Sequence, residues 1–168
     1  MAGDPSSLEK ASPTPAAIAM FLTYVVAGLG LYVGFSTVRK DPPTLSVATL
    51  LVVGGGGGLS FVRHALLHRS DAVRSGWDLG RRNNFQIEVG LANLAWALLG
   101  ILAVCLDWGL VAEAASFLVF GFYIASVAVL LAPALGGEEP RSWVSAATTG
   151  AFGGGMIAIG LMGMGAAT

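Results

Sequence analysis

Where this apolar chain turns polar, it gathers a small set of residues that could do chemistry. His64 and His68 are four apart, so on one continuous helix they would share a face. That spacing could hold a metal ion. Glu88, at the start of the next apolar run, would complete a set of two nitrogens and one carboxylate suited to zinc or iron. Gln86 and Asn93 are nearly aligned on one helical face, and Glu88 points well away from them. With Arg63 and His64 beside them they outline a pocket for a small polar molecule or an ion. An ionisable group inside a membrane span is a functional hypothesis by default, and Arg63, His64, Glu88 and Glu113 qualify. Each also has a plainer explanation. Histidines among arginines at the end of a span face headgroups and water. Glu88 sits near a helix N-terminus, where the dipole favours an anion, and has Arg63, Arg81 and Arg82 as partners. Glu113 reads as solvated at the far end of its helix.

Other chemistries lack their residues. The single cysteine, Cys105, excludes an intramolecular disulfide and any cysteine-only metal cluster. With no histidine on another span, a bis-histidine haem between helices is poorly supplied. No Walker loop, dinucleotide fingerprint, Ser-His-Asp set or HExxH motif is present. Gly54 to Gly58 is not a phosphate loop, because no lysine follows it. The net charge of −1 gives no reason to expect nucleic-acid binding, although the loop arginines invite an anionic-lipid or phosphate reading. No cofactor is expected.

The elements that would position these residues are membrane spans. Hydrophobic residues make up 55% of the 168 and charged residues 11%, with a mean hydropathy of +0.74. A soluble domain carries roughly 25% charged residues, and a chain of this size cannot hide so much apolar surface from water. Five stretches approach the roughly 20 residues that cross a hydrocarbon core: about 16–38, 44–67, 85–106, 110–131 and 142–165. The expected fold is therefore an all-α integral membrane bundle of about five transmembrane helices, or four if the second or fifth segment is re-entrant. Residues 1–13, polar and rich in proline, read as a disordered cytoplasmic tail, and 14–168 as one transmembrane domain. Thr14 can cap the first helix, with Pro15 in its first turn. Residues 68–84 form the longest polar connection and can hold a short interfacial helix, with Ser70 as cap and Gly76 as stop. Asn83 and Gln86 stand at capping-box spacing, and Asp107 can cap the fourth span.

Orientation follows from Lys and Arg. Placing 68–84 in the cytoplasm puts Lys10, Arg63, Arg69, Arg74, Arg81, Arg82 and Arg141 inside and leaves Arg39 and Lys40 outside. The N-terminus is then cytoplasmic and the C-terminus outside, in the plasma (inner) membrane. Lipid supplies no hydrophobic force between helices, so small residues must let backbones touch. Gly30 and Gly34, Gly54 and Gly58, Gly90 and Gly100, and the stripe Ala147, Ala151 and Gly155 are the candidate packing positions. The pentaglycine predicts a helix with a kink and a backbone pressed against it.

Residues 61–104 carry a resemblance. His64 near the end of one span, then Ser75-Gly76-Trp77, then Phe85-Gln86, Glu88-Val89-Gly90 and Ala92-Asn93-Leu94 opening the next, then Leu98 to Leu102, resemble an uncharacterised prokaryotic family of small multi-pass membrane proteins, catalogued as a domain of unknown function. The basic turn Arg81-Arg82-Asn83-Asn84 and the pentaglycine depart from its pattern. The resemblance implies architecture and membrane location and brings no activity with it. The shortage of catalytic groups points away from an enzyme. It favours a non-enzymatic structural or accessory component that packs through glycine-rich faces as a homo-oligomer or within a larger membrane complex. The alternatives are a small-molecule or ion binder around Glu88, and a metal or haem redox protein using His64 and His68.

Overall fold

The structure is a computed structural model and describes residues 11–76, 82–132 and 143–168. Among the described residues, five helices are long and apolar enough to cross a membrane: α1 (Thr14–Thr37), α2 (Ser46–Leu66), α4 (Asn84–Cys105), α5 (Leu110–Leu131) and α6 (Trp143–Ala166). A short helix, α3 (His68–Arg74), follows α2 at once. The protein is an all-α membrane bundle.

α2 is the pivot. Of its most apolar stretch 44% is buried, against 22–33% for the other spans, and it packs on α1, α4 and α5. Its backbone is not uniform. Leu50–Gly56 and Val62–Leu66 are π-helical, with α-helix between them at Gly57–Phe61. In lipid every backbone amide needs an internal partner, and a π turn keeps them all paired while widening the helix. The glycines therefore loosen the coil without breaking it.

Close approach is concentrated at a few positions. A β-carbon on Gly57 would lie 3.0 Å from the Asn93 carbonyl, and one on Gly90 would lie 2.7 Å from the Ala65 amide nitrogen. Backbone cannot yield as a side chain can, so α2 and α4 touch there only because both sites lack a side chain. Gly30 meets Val52, Gly34 meets Ile159, Gly54 meets Ile101 and Gly100 meets Val53 in similar fashion. Gly58 differs, having nothing within 4 Å of where its β-carbon would be; Gly57 is the contact residue instead.

The fifth span also departs from expectation. Ala147 and Ala151 are exposed, and Gly155 only brushes Leu31. The buried face is Ala146, Gly153, Met156, Ile159, Gly160 and Gly163, shifted about one residue round the helix. Gly153 meets the Ala125 amide and the Gly121 carbonyl of α5, and α5 against α6 is the most extensive pairing in the bundle. Several faces of α6 are lined with small residues, so spacing alone does not reveal which one is buried.

The ends are tied by side chains. Ser70 does not cap α3. Its hydroxyl accepts from the Ala16 amide of α1 (3.1 Å) and donates to the Ser12 carbonyl (2.6 Å), satisfying one of the free amides that every helix start leaves. Gly76, at φ +76°, closes the chain after α3. Asn83 caps α4 by accepting from the Gln86 amide (3.1 Å). Gly109, not Asp107, is the residue before α5.

Substituting Gly90 with alanine should lower stability in detergent or nanodiscs by roughly 1–3 kcal/mol, the usual range for overpacking. Gly58→Ala should be neutral or slightly stabilising, since helix propensity improves and nothing is displaced. Equal losses for the two variants would refute close approach as the reason for Gly90.

Candidate functional site

The polar residues converge on one carboxylate in the polar connection between α2 and α4. Asp71, on α3, is 1% exposed. Three elements bring donors to it. Arg74, one turn along α3, donates through Nε (3.0 Å) and Nη2 (2.8 Å) to Oδ1. From the π turn ending α2, His64 Nδ1 lies 3.0 Å from Oδ2 and Arg63 Nε 3.8 Å from Oδ1. From the first turn of α4, Gln86 Nε2 donates to Oδ2 at 3.1 Å. A π turn holds more residues per turn than an α turn, so the adjacent side chains of Arg63 and His64 diverge less and both can turn toward one carboxylate.

Burial alone would raise the Asp71 pKa. The His64 contact, the Arg63 charge and the Arg74 contact outweigh burial and hold it at about 2, below its ordinary 3.8. The anion is thus the resting form. The Arg63 Nη2 group faces His64 Nε2, so the imidazole stands between a donor and a carboxylate. That arrangement suits the tautomer with its proton on Nδ1, and it leaves neither ring nitrogen of His64 free for a metal.

The histidine pair does not form a shared face. The helix breaks at Leu67 (φ −101°, ψ 23°), and His68 Nδ1 turns to the Ala65 carbonyl (3.1 Å). Among the described residues no group of three or more His, Cys, Asp or Glu is arranged to hold a metal.

Of the other expected site residues, Gln86 and Asn93 both lie on the buried face of α4. Asn93 sits deeper than Gln86; its Nδ2 donates to the Val89 carbonyl (2.8 Å), and the Tyr123 side chain of α5 stands close to it. Tyr24 of α1 and Tyr123 lie within electrostatic reach of Arg63. Glu88 is exposed and outside this cluster. Glu113, expected in solvent, is 5% exposed and accepts the Ser46 hydroxyl at 2.7 Å. It stands where α2 and α5 both begin, so two helix dipoles favour its charge. Among the described residues, two buried polar atoms of the cluster, Gln86 Oε1 and Arg63 Nε, make no hydrogen bond, and a third, His64 Nδ1, meets Asp71 at ion-pair distance without the geometry of a directed hydrogen bond.

The sequence marks Ser70 only as a helix cap and Arg74 only as a cytoplasmic charge, and it does not mark Asp71 or Tyr123. A signal for Asp71 exists. Arg63 and His64 end a span and need an anion, and Asp71 is the first acid after them, one turn from Arg74.

Replacing Asp71 with Asn should destabilise the bundle toward the lower end of the roughly 3–5 kcal/mol typical of a broken buried pair, since Arg63 and Arg74 keep some solvent contact. Because the folded pKa is depressed, the stabilisation is complete above about pH 4 and is lost as pH falls through about 2. Unfolding midpoints measured across that window should slope for the native chain and lose this slope for the variant. A variant as stable as the native chain would contradict the role of Asp71 as keystone.

No curated protein and no solved structure matches the chain. A family of unknown function (DUF6790) matches residues 14–135, from the start of α1 past the end of α5. The match takes in Arg63, His64, Asp71, Arg74 and Gln86, the residues of the polar cluster. The protein belongs to this family of unknown function.

Proposed function

We propose that the protein is a non-enzymatic membrane component that docks through α6 into a larger membrane assembly. The observation that carries this reading is a second small-residue face on α6. The buried face is spent on α5 and α1, whereas Ala147, Ala151 and Gly154 form a separate, exposed row, and nothing lies within 4 Å of a β-carbon on Gly154. In lipid such a row lets another helix approach closely. The charged cluster supports the same reading, because its carboxylate is taken up by donors from α2, α3 and α4. It clamps helix ends together. Neither of the two clefts lined by Val38 and Met162 or by Phe61 and Arg69 includes Asp71, His64 or Gln86.

The native size of the chain, extracted into polymer nanodiscs from its own membranes, tests this. The expected particle is larger than the monomer and contains defined partners. Ala151→Leu, which changes an exposed position, should release a monomer of unchanged thermal stability. A native chain found alone or as a small homo-oligomer would overturn the accessory reading and return attention to ligands near Gln86.

We further infer that the end carrying α3 faces the cytoplasm, so that the N-terminus lies inside and the C-terminus outside the plasma membrane. Seven of the nine basic residues lie on that side, as the positive-inside tendency requires. A reporter that is active only outside the membrane should work when fused after Thr168 and fail when inserted after Gly76. The reverse pattern would refute the orientation.

A further inference from the structure

The end of the bundle that carries α3 has a second polar feature, separate from the Asp71 cluster. A cleft of about 530 Å³ opens between α2 and α4. Its walls within the spans are apolar, with Phe61 and Ala65 on one side and Ile87 and Leu91 on the other. Its rim, just beyond the spans, is basic, with His68 and Arg69 after α2 and Arg82 before α4. Among the described residues no acidic side chain lines it. Two further facts point to an occupant. Arg69 Nε is buried without a hydrogen-bond partner among the described residues, although buried donors are nearly always paired. His68 spends Nδ1 on the Ala65 carbonyl, which leaves Nε2 for something else.

We propose that this cleft binds the headgroup and upper acyl chain of an anionic phospholipid. Charge and depth both match. The basic rim lies at the level of the lipid phosphates, where a cationic pocket at the end of membrane helices suits an acidic headgroup. The apolar walls lie at the level of the chains. A guanidinium also pairs with phosphate oxygens in a fixed, directional way, which a diffuse surface charge does not. The site is independent of α6 docking, since it lies between α2 and α4.

The test uses the full chain in nanodiscs of phosphatidylcholine with and without phosphatidylglycerol, with retained lipid identified by native mass spectrometry. The native chain should retain about one phosphatidylglycerol and unfold at a higher temperature in its presence. The double variant Arg69→Gln, Arg82→Gln should lose both effects while keeping its helical content. The control Arg39→Gln, Lys40→Gln, at the opposite end of the bundle, should keep them. Three results would overturn the proposal: equal retention of phosphatidylcholine, equal loss in the control pair, or the same stabilisation by inorganic phosphate alone. The last would mean that the acyl contacts contribute nothing.

Discussion

The guanidinium of Arg63, largely buried on the last turn of α2, needs an anion beside it, and the architecture around α3 follows from that need. Burying an unpaired charge costs several kcal/mol even after relaxation, so Arg63 cannot end α2 without Asp71. Meeting it requires the chain to break at Leu67 and fold back as α3. Once there, the carboxylate has room for Arg74, His64 and Gln86 as well, and each of those contacts fixes another element. Gln86 orients the start of α4 and His64 the end of α2. Ser70, the neighbour of Asp71, holds the start of α1. One ion pair thereby sets the relative positions of three spans.

Packing inside the bilayer completes what the charges begin. Between spans the closest contacts are made at glycines, some backbone on backbone, as at Gly90 with Ala65 and Gly153 with Ala125, and others against a side chain, as at Gly30 with Val52, because lipid gives apolar side chains no reason to prefer one another. The core at the other end is of a different kind. Leu45, Val52, Phe117, Phe120, Met156 and Ile159 fill it with larger side chains, and the buried Glu113 closes it above by accepting from Ser46. The bundle is thus joined by charge at one end, by volume at the other and by missing side chains between them.

Much of the fold was legible in the sequence because the bilayer imposes a simple rule. Long apolar runs must be helices, and their ends fall where Arg39, Asn83 or Asp107 interrupt them. What was not legible depended on three-dimensional choice. The small residues of α6 occupy several faces, so the buried one could not be told from its neighbour. The histidine spacing of four suggested a shared face, but only a continuous helix guarantees that, and α2 ends in a π turn and a break. Glu88 looked like the partner of Arg63 because it opens a span. Asp71 was overlooked because it stands in a polar stretch, where acids are normally solvated. Gln86 and Asn93, by contrast, lie on the buried face of α4 that their spacing indicated.

The chain order of the Asp71 contacts bears on how the protein is made. Synthesis runs from the N-terminus, and segments can take up structure as they emerge. Arg63 and His64 leave the ribosome before Asp71, and Gln86 leaves well after it. The contacts of Arg63 and His64 with Asp71 can therefore form as soon as α3 follows α2, before α4 is made. The start of α1, held by Ser70, is secured only after α2 has been delivered. The clamp that unites the bundle is completed by a neutral residue of the third span, so the first two spans form a charge-paired hairpin that stays loose until Gln86 arrives to join α4 to it.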